Sequence, residues 1–184
     1  TNADMANRIK PGWVIGGTAA GVVALDQLSK AWIERNLPLY ETIVPIAALR
    51  DFFTITHFTN TGAAFGLFRD QNILFVAIAL VVVASVVVYA RYLPHDRLLV
   101  QVALGLQLGG AIGNLIDRVR QGHVTDFLDF GPWPIFNVAD TAVVTGALLL
   151  AWLMGAESRA ESRAESRNLS HVTTTSDIPH DNEM

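Results

Sequence analysis

Residues 73–90 carry no charged side chain, and only Ser85 and Tyr89 interrupt an otherwise apolar, valine-rich run. Such a run is too long for a strand of an ordinary sheet. As a helix it approaches the length of about 20 mostly apolar residues that crosses a bilayer. Three other stretches come near the same requirement. Residues 98–116 are broken by Gln101, Gln107 and Asn114, and residues 137–154 hold Asp140 in their first turn. Residues 13–25 are apolar but short, so that segment must continue through Asp26 and Lys30 to about Ile33 to cross. With 51% hydrophobic and 16% charged residues, the 184-residue chain fits a membrane class. The expected fold is an all-α membrane protein of four transmembrane helices with a small extracytoplasmic β-rich segment.

The net charge of -4 leaves no basic field of the kind nucleic-acid binders need, and without cysteine there is no disulfide, thiol nucleophile or thiolate metal site. The first apolar segment also has the outline of a secretory signal, because Arg8 and Lys10 precede it. Against that, no small-x-small cleavage pattern follows. Asp26 and Lys30 stand at i, i+4, where acid and base neutralise each other on one helix face.

Loop charge orients the spans. Arg8, Lys10, Arg91, Arg97, Arg159, Arg163 and Arg167 all fall on one side of a four-span arrangement, which the positive-inside rule assigns to the cytoplasm together with both termini. Trp13 and Trp152 then mark the inner interface, and Trp32 and Trp133 the outer one. Residues 36–72 and 118–135 lie outside, where ETIVPI and FFTITHF have the content of short strands. The expected partition is a cytoplasmic segment 1–12, a four-span domain 13–155 and a low-complexity cytoplasmic tail 156–184. That tail repeats AESR without helical charge pairs and is expected to be disordered after Arg167.

Several polar groups stand where a membrane makes them expensive. Gly105, Gly109 and Gly113 recur at four-residue steps, a small-xxx-small stripe that admits a close helix. The same span ends GNLIDR, with Asn114 one turn from Asp117 and Arg118; alone, this reads as an interfacial cap with an ion pair. Asp140 follows Asn137 by one turn at a helix start fixed by GPWP, and Asp126 and Asp129 precede it in VTDFLDF. Taken singly, each is an ordinary helix-start or loop acid. Two carboxylates at hydrogen-bonding distance cannot both ionise easily, so they share a proton. One can then activate water while the other polarises a carbonyl, as in aspartic proteases. No HExxH motif competes, Ser29 and Lys30 diverge as helix neighbours, and His57, His95 and His123 read as loop or interface residues.

From residue 13 to 154 the chain resembles the lipoprotein signal peptidases (signal peptidase II). The resemblance rests on DQLSK (26–30), NTGAAFG (60–66), GNLIDR (113–118), VTDFLDF (124–130) and FNVAD (136–140), in that order. It implies a catalytic dyad of Asp126 and Asp140, one loop acid and one helix-start acid. It also implies supporting or substrate-holding roles for Asn60, Gly62, Asn114, Asp117, Arg118, Asn137, Asp26 and Lys30, with Asp117 anchoring Arg118. Gly62 and Gly66 would let the 36–72 segment bend over a substrate. The implied reaction removes the signal peptide of a bacterial prolipoprotein just before a diacylglyceryl-modified cysteine, with no metal or organic cofactor. Membrane lipids are the expected surroundings and a monomer the expected state. The AESR repeats and the residues before Met5 depart from the family pattern; Met5 is expected to be the natural start. The alternative is a small proton-coupled transporter, since carboxylates with Asn and Arg partners also build proton pathways. Against it, the acids cluster at one rim instead of the midplane.

Overall fold

A computed structural model of the protein describes residues 11–62, 71–92 and 97–176. Arg8, Lys10, His95 and Gly66, with the rest of residues 63–70, lie outside the described residues. Among the described residues, four long helices, α1 (Pro11–Asn36), α2 (Asn72–Ala90), α3 (Leu98–Gln121) and α4 (Val138–Ser176), accompany three strands, β1 (Thr42–Ile43), β2 (Thr54–Asn60) and β3 (Val124–Asp129). Among the described residues, three helical stretches are long and apolar enough to cross a membrane: α2, α3 and α4 as far as Ala156. Helix α1 is long enough at 26 residues but runs unbroken through Asp26, Lys30, Glu34 and Arg35.

Helix α3 is the axis of the bundle, touching α1, α2 and α4. Its glycine stripe is the reason α1 comes so close. A Cβ on Gly105 would stand 2.6 Å from Thr18 Cβ, one on Gly109 2.6 Å from Val22 Cβ, and one on Gly113 2.6 Å from Asp26 Oδ2. The seam is thus read by small residues, as close helix pairs without a hydrophobic driving force require. On α4, Gly146 fits against the Ala103 carbonyl in the same way. The outer faces are apolar: Ile73 is 85% exposed, and Val86 is the buried residue of α2. Patches of this kind mark surfaces that contact a membrane or another protein. The four tryptophans are all exposed.

The sheet has the order β1-β2-β3, both pairs antiparallel. ETIVPI shrinks to Thr42–Ile43, two residues before Pro45, which lacks the N–H a ladder needs. VTDFLD, expected as loop, is instead β3, hydrogen-bonded along β2. His57 sits buried on β2 with Nδ1 2.7 Å from the Leu37 carbonyl, so it ties the sheet to the end of α1. Helix α3 stops at Gly122, whose φ of +79° and N–H bond to the Arg118 carbonyl form a left-handed terminator. Helix α4 continues through the AESR repeats to Ser176. Ala, Glu and Arg are strong helix formers, and propensity extends the helix although the charges do not pair.

Candidate active site

Alternation along β3 divides its side chains between two faces. Val124 and Asp126 face a cleft between α2, α3 and α4, whereas Thr125 turns to α1, where its hydroxyl donates to Glu34 Oε1 at 2.6 Å. Residue 60 lies across from Val124 in the register, so its side chain reaches diagonally to Asp126. There Asn60 Nδ2 donates to Asp126 Oδ2 at 2.8 Å, and Asn137 Nδ2 donates to Asp126 Oδ1 at 2.6 Å.

Asn137 is also the N-cap of α4. Its Oδ1 accepts the Asp140 N–H at 2.9 Å, while its own N–H donates to Asp140 Oδ2 at 3.3 Å, a reciprocal capping box with the acid at N3. One asparagine therefore holds both acids. The other oxygen, Asp140 Oδ1, accepts from Asn114 Nδ2 at 2.7 Å. All four oxygens of the pair receive an N–H.

Behind the pair lies a buried charge cluster. Lys30, 2% exposed, directs Nζ at Asp26 Oδ2 (2.8 Å), Asp117 Oδ2 (2.7 Å) and Asn114 Oδ1 (3.0 Å), which accounts for all three ammonium protons. Asp26 Oδ1 accepts the Ala139 N–H at 3.0 Å, so α1 supplies a second cap to α4. Gln27 Nε2 bridges to Asp117 Oδ1 at 2.9 Å. Sequence reasoning paired Asp117 with Arg118, and the structure corrects this: Asp117 serves Lys30, Gln27 and the Thr125 N–H. Consecutive helical residues point about 100° apart, so Asp117 faces α1 while Arg118 faces the cleft.

Arg118 is 8% exposed. Its Nη2 donates to the Gly62 carbonyl at 2.8 Å, its guanidinium lies 4.3 Å over the Phe75 ring, and Nη1 has no partner among the described residues. Gly62 N–H in turn donates to Asn60 Oδ1 at 3.0 Å, fixing which end of that amide faces Asp126.

Of the expected site residues, Asn60, Gly62, Asn114, Arg118, Asp126 and Asp140 line one cleft of about 830 Å³, and Asp26, Lys30, Asp117 and Asn137 stand behind it. The remaining lining is largely apolar, from Phe75, Ile78 and Val82 on α2 and Val143 and Val144 on α4. Asp129 does not join them: it binds the Thr56 hydroxyl and the Gly131 N–H, closing the turn after β3. Sequence reasoning did not single out Gln27, Thr125 or Phe75. The first two lie inside quoted motifs, but nothing in an apolar span marks Phe75.

Burial, and then the neighbouring charge of Asp140, push the Asp126 carboxyl up to about 7, against the opposing pull of Asn60, Asn137 and Lys30. Near neutral pH this acid can carry a proton. Among the described residues no cluster of three or more His, Asp or Glu is arranged to hold a metal ion.

Residues 18–155 match the family described as signal peptidase (SPase) II. A lipoprotein signal peptidase of Moorella thermoacetica is 47% identical over 131 residues, covering 71% of this chain and 85% of that protein. Another, of Geobacter metallireducens, is 40% identical over 159 residues, covering 82% and 96%. A solved structure described as a bacterial membrane enzyme determined by the in meso method superposes with a TM-score of 0.73 at 30% identity, covering 78% of this chain and 88% of that one.

Proposed function

The chain belongs to the signal peptidase II family, and on that premise we propose that it is an aspartyl endopeptidase whose dyad is Asp126 and Asp140. Its substrate is a bacterial prolipoprotein, cut just before a diacylglyceryl-modified cysteine. The observation that carries this reading is Asn137, which donates to both carboxylates at once at the wall of an apolar cleft. Two buried acids so joined share a proton. The ionised member takes a proton from water as the oxygen attacks the peptide carbonyl, and the protonated member gives its own to the carbonyl oxygen.

The cleft suits a lipidated peptide: apolar walls for acyl chains and few polar groups for the backbone. The Nη1 of Arg118, unpartnered among the described residues, supports a role in holding a substrate carbonyl. No metal or organic cofactor enters this chemistry. In the same reading α1 is the fourth span, residues 13–155 form the catalytic membrane domain of a monomer, and both termini are cytoplasmic. The dyad then lies at the extracytoplasmic face of the bacterial inner membrane.

The test is cleavage of a lipidated precursor peptide by purified protein. Asp126→Asn and Asp140→Asn should each lower kcat by at least ~1000-fold while folding and inserting normally. Full activity in either variant removes the dyad.

A further inference from the structure

Three asparagines surround the dyad, and each amide is locked by a partner of fixed polarity. A lysine ammonium can only donate, so Lys30 compels Asn114 to present Oδ1 to it and NH₂ to Asp140. Backbone N–H groups lock Asn137 and Asn60 in the same way. The two acids nevertheless differ in what stands behind their donors.

Asp140 lies at N3 of α4, inside the positive end of the helix, and one amide separates it from the Lys30 cation. Asp126 lies on a strand, with no helix terminus. Lys30 reaches it only at one further remove, through Asn114 and then Asn137, and Arg118 reaches it through Gly62 and then Asn60. Among the described residues, the other charges around the pair are Asp26 on α1 and Asp117 on α3, both paired with Lys30. Helix α2 contributes no charged residue between Asn72 and Ala90.

We propose that Lys30, acting through Asn114, is a positioning residue that gives the dyad its polarity: Asp140 enters the reaction as the carboxylate and Asp126 as the acid. This rests on the dyad reading above. Asp140 then takes a proton from water while the water oxygen bonds to the carbonyl carbon, and Asp126 gives its proton to the carbonyl oxygen, producing a gem-diol. The proton on Asp140 passes to the leaving nitrogen as the C–N bond breaks. One gem-diol hydroxyl returns its proton to Asp126, leaving a carboxylic acid and an amine. The supporting value is that of Asp126, whose carboxyl stands near 7.

Infrared spectra of the full chain in detergent micelles separate the C=O stretch of a carboxylic acid from carboxylate bands. Wild type should show an acid band below pH about 7 that fades above it. The band should be absent from Asp126→Asn and present in Asp140→Asn. The reverse pattern, or no acid band in wild type, overturns the assignment. If the dyad itself were wrong, both Asn variants would still cleave, a distinct outcome.

Lys30 is tested by Lys30→Gln and by the double variant Lys30→Gln/Asp117→Asn, which keeps the net charge of the buried cluster and so protects folding. In the folded variants kcat should fall roughly 10- to 100-fold, with KM within about 2-fold. The acid limb of the pH–kcat profile should move to higher pH. An unchanged profile in folded double variant refutes the relay.

Discussion

Gly113→Ala separates the packing role of the α3 glycines from their role in the site. The new Cβ would lie 2.6 Å from Asp26 Oδ2, about 0.8 Å short of ordinary contact at 3.4 Å. That oxygen holds Lys30 at 2.8 Å, and its twin holds the Ala139 N–H at 3.0 Å. A carboxylate driven back that far cannot keep both. Gly105→Ala is the control: its Cβ would also meet a neighbour at 2.6 Å, but that neighbour is Thr18, far along α1 from Asp26. Overpacking costs about 1–3 kcal/mol, and alanine returns about 1 kcal/mol of helix propensity, so each variant should lose roughly 0–2 kcal/mol of stability. Activity should part company. Misplacing a reacting group by about 1 Å costs on the order of 100-fold, so Gly113→Ala should lose about that much in kcat, whereas Gly105→Ala stays within about 3-fold. Thermal unfolding in detergent and cleavage of a lipidated peptide read the two quantities. Equal activity losses in the two variants, or an unimpaired Gly113→Ala, would refute the link between the stripe and the dyad.

The raised Asp126 carboxyl makes a prediction of definite sign. Its proton is present below about 7 and lost above, so kcat/KM should fall about tenfold per pH unit on the alkaline side, and a profile flat through pH 8 would count against it. Because the folded value lies above the ordinary 3.8, stability contributed at low pH is lost as pH climbs through that window; the melting midpoint should drop less in Asp126→Asn. Asp129→Asn disturbs only the turn at Thr56 and Gly131 and should retain at least about half of wild-type kcat in the same cleavage assay. Arg118→Lys keeps a charge but loses the second guanidinium arm and the stacking on Phe75, so KM should rise roughly 10-fold with a smaller change in kcat, measured by steady-state titration of the peptide.

Different parts of this structure were legible in the sequence to different degrees. The helices α2, α3 and α4 announce themselves because an apolar run of such length with so few charges has few other uses. The passage of α1 through Asp26 and Lys30 follows from their i, i+4 spacing, which the 2.8 Å ion pair realises. Strand β3 escaped because Thr125 and Asp126 are both buried, on opposite faces, for polar reasons. Without an apolar face it has no alternation to detect. The partner of Asp117 escaped because adjacency in GNLIDR suggests a pair with Arg118, while helix geometry sends the two apart. The ten candidate site residues were named through motifs; their wiring depends on rotamers and register that no spacing encodes.

The wiring has a common logic. A cation touching either carboxylate would hold both acids ionised and remove the shared proton on which the proposed chemistry turns. A site with no cation nearby would leave the pair to bear its desolvation alone. The structure takes the middle course. Lys30 stands one amide from Asp140, and Arg118 stands two links from Asp126, so each charge is felt through a polarised hydrogen bond and, among the described residues, no ion pair forms at the proposed dyad. Lys30 is itself neutralised by Asp26 and Asp117, which also brace α4 and β3. The groups that tune the acids are therefore the groups that fix the elements carrying them. Any substitution that loosens α1 against α3 should shift the proton balance of the dyad before it unfolds the bundle.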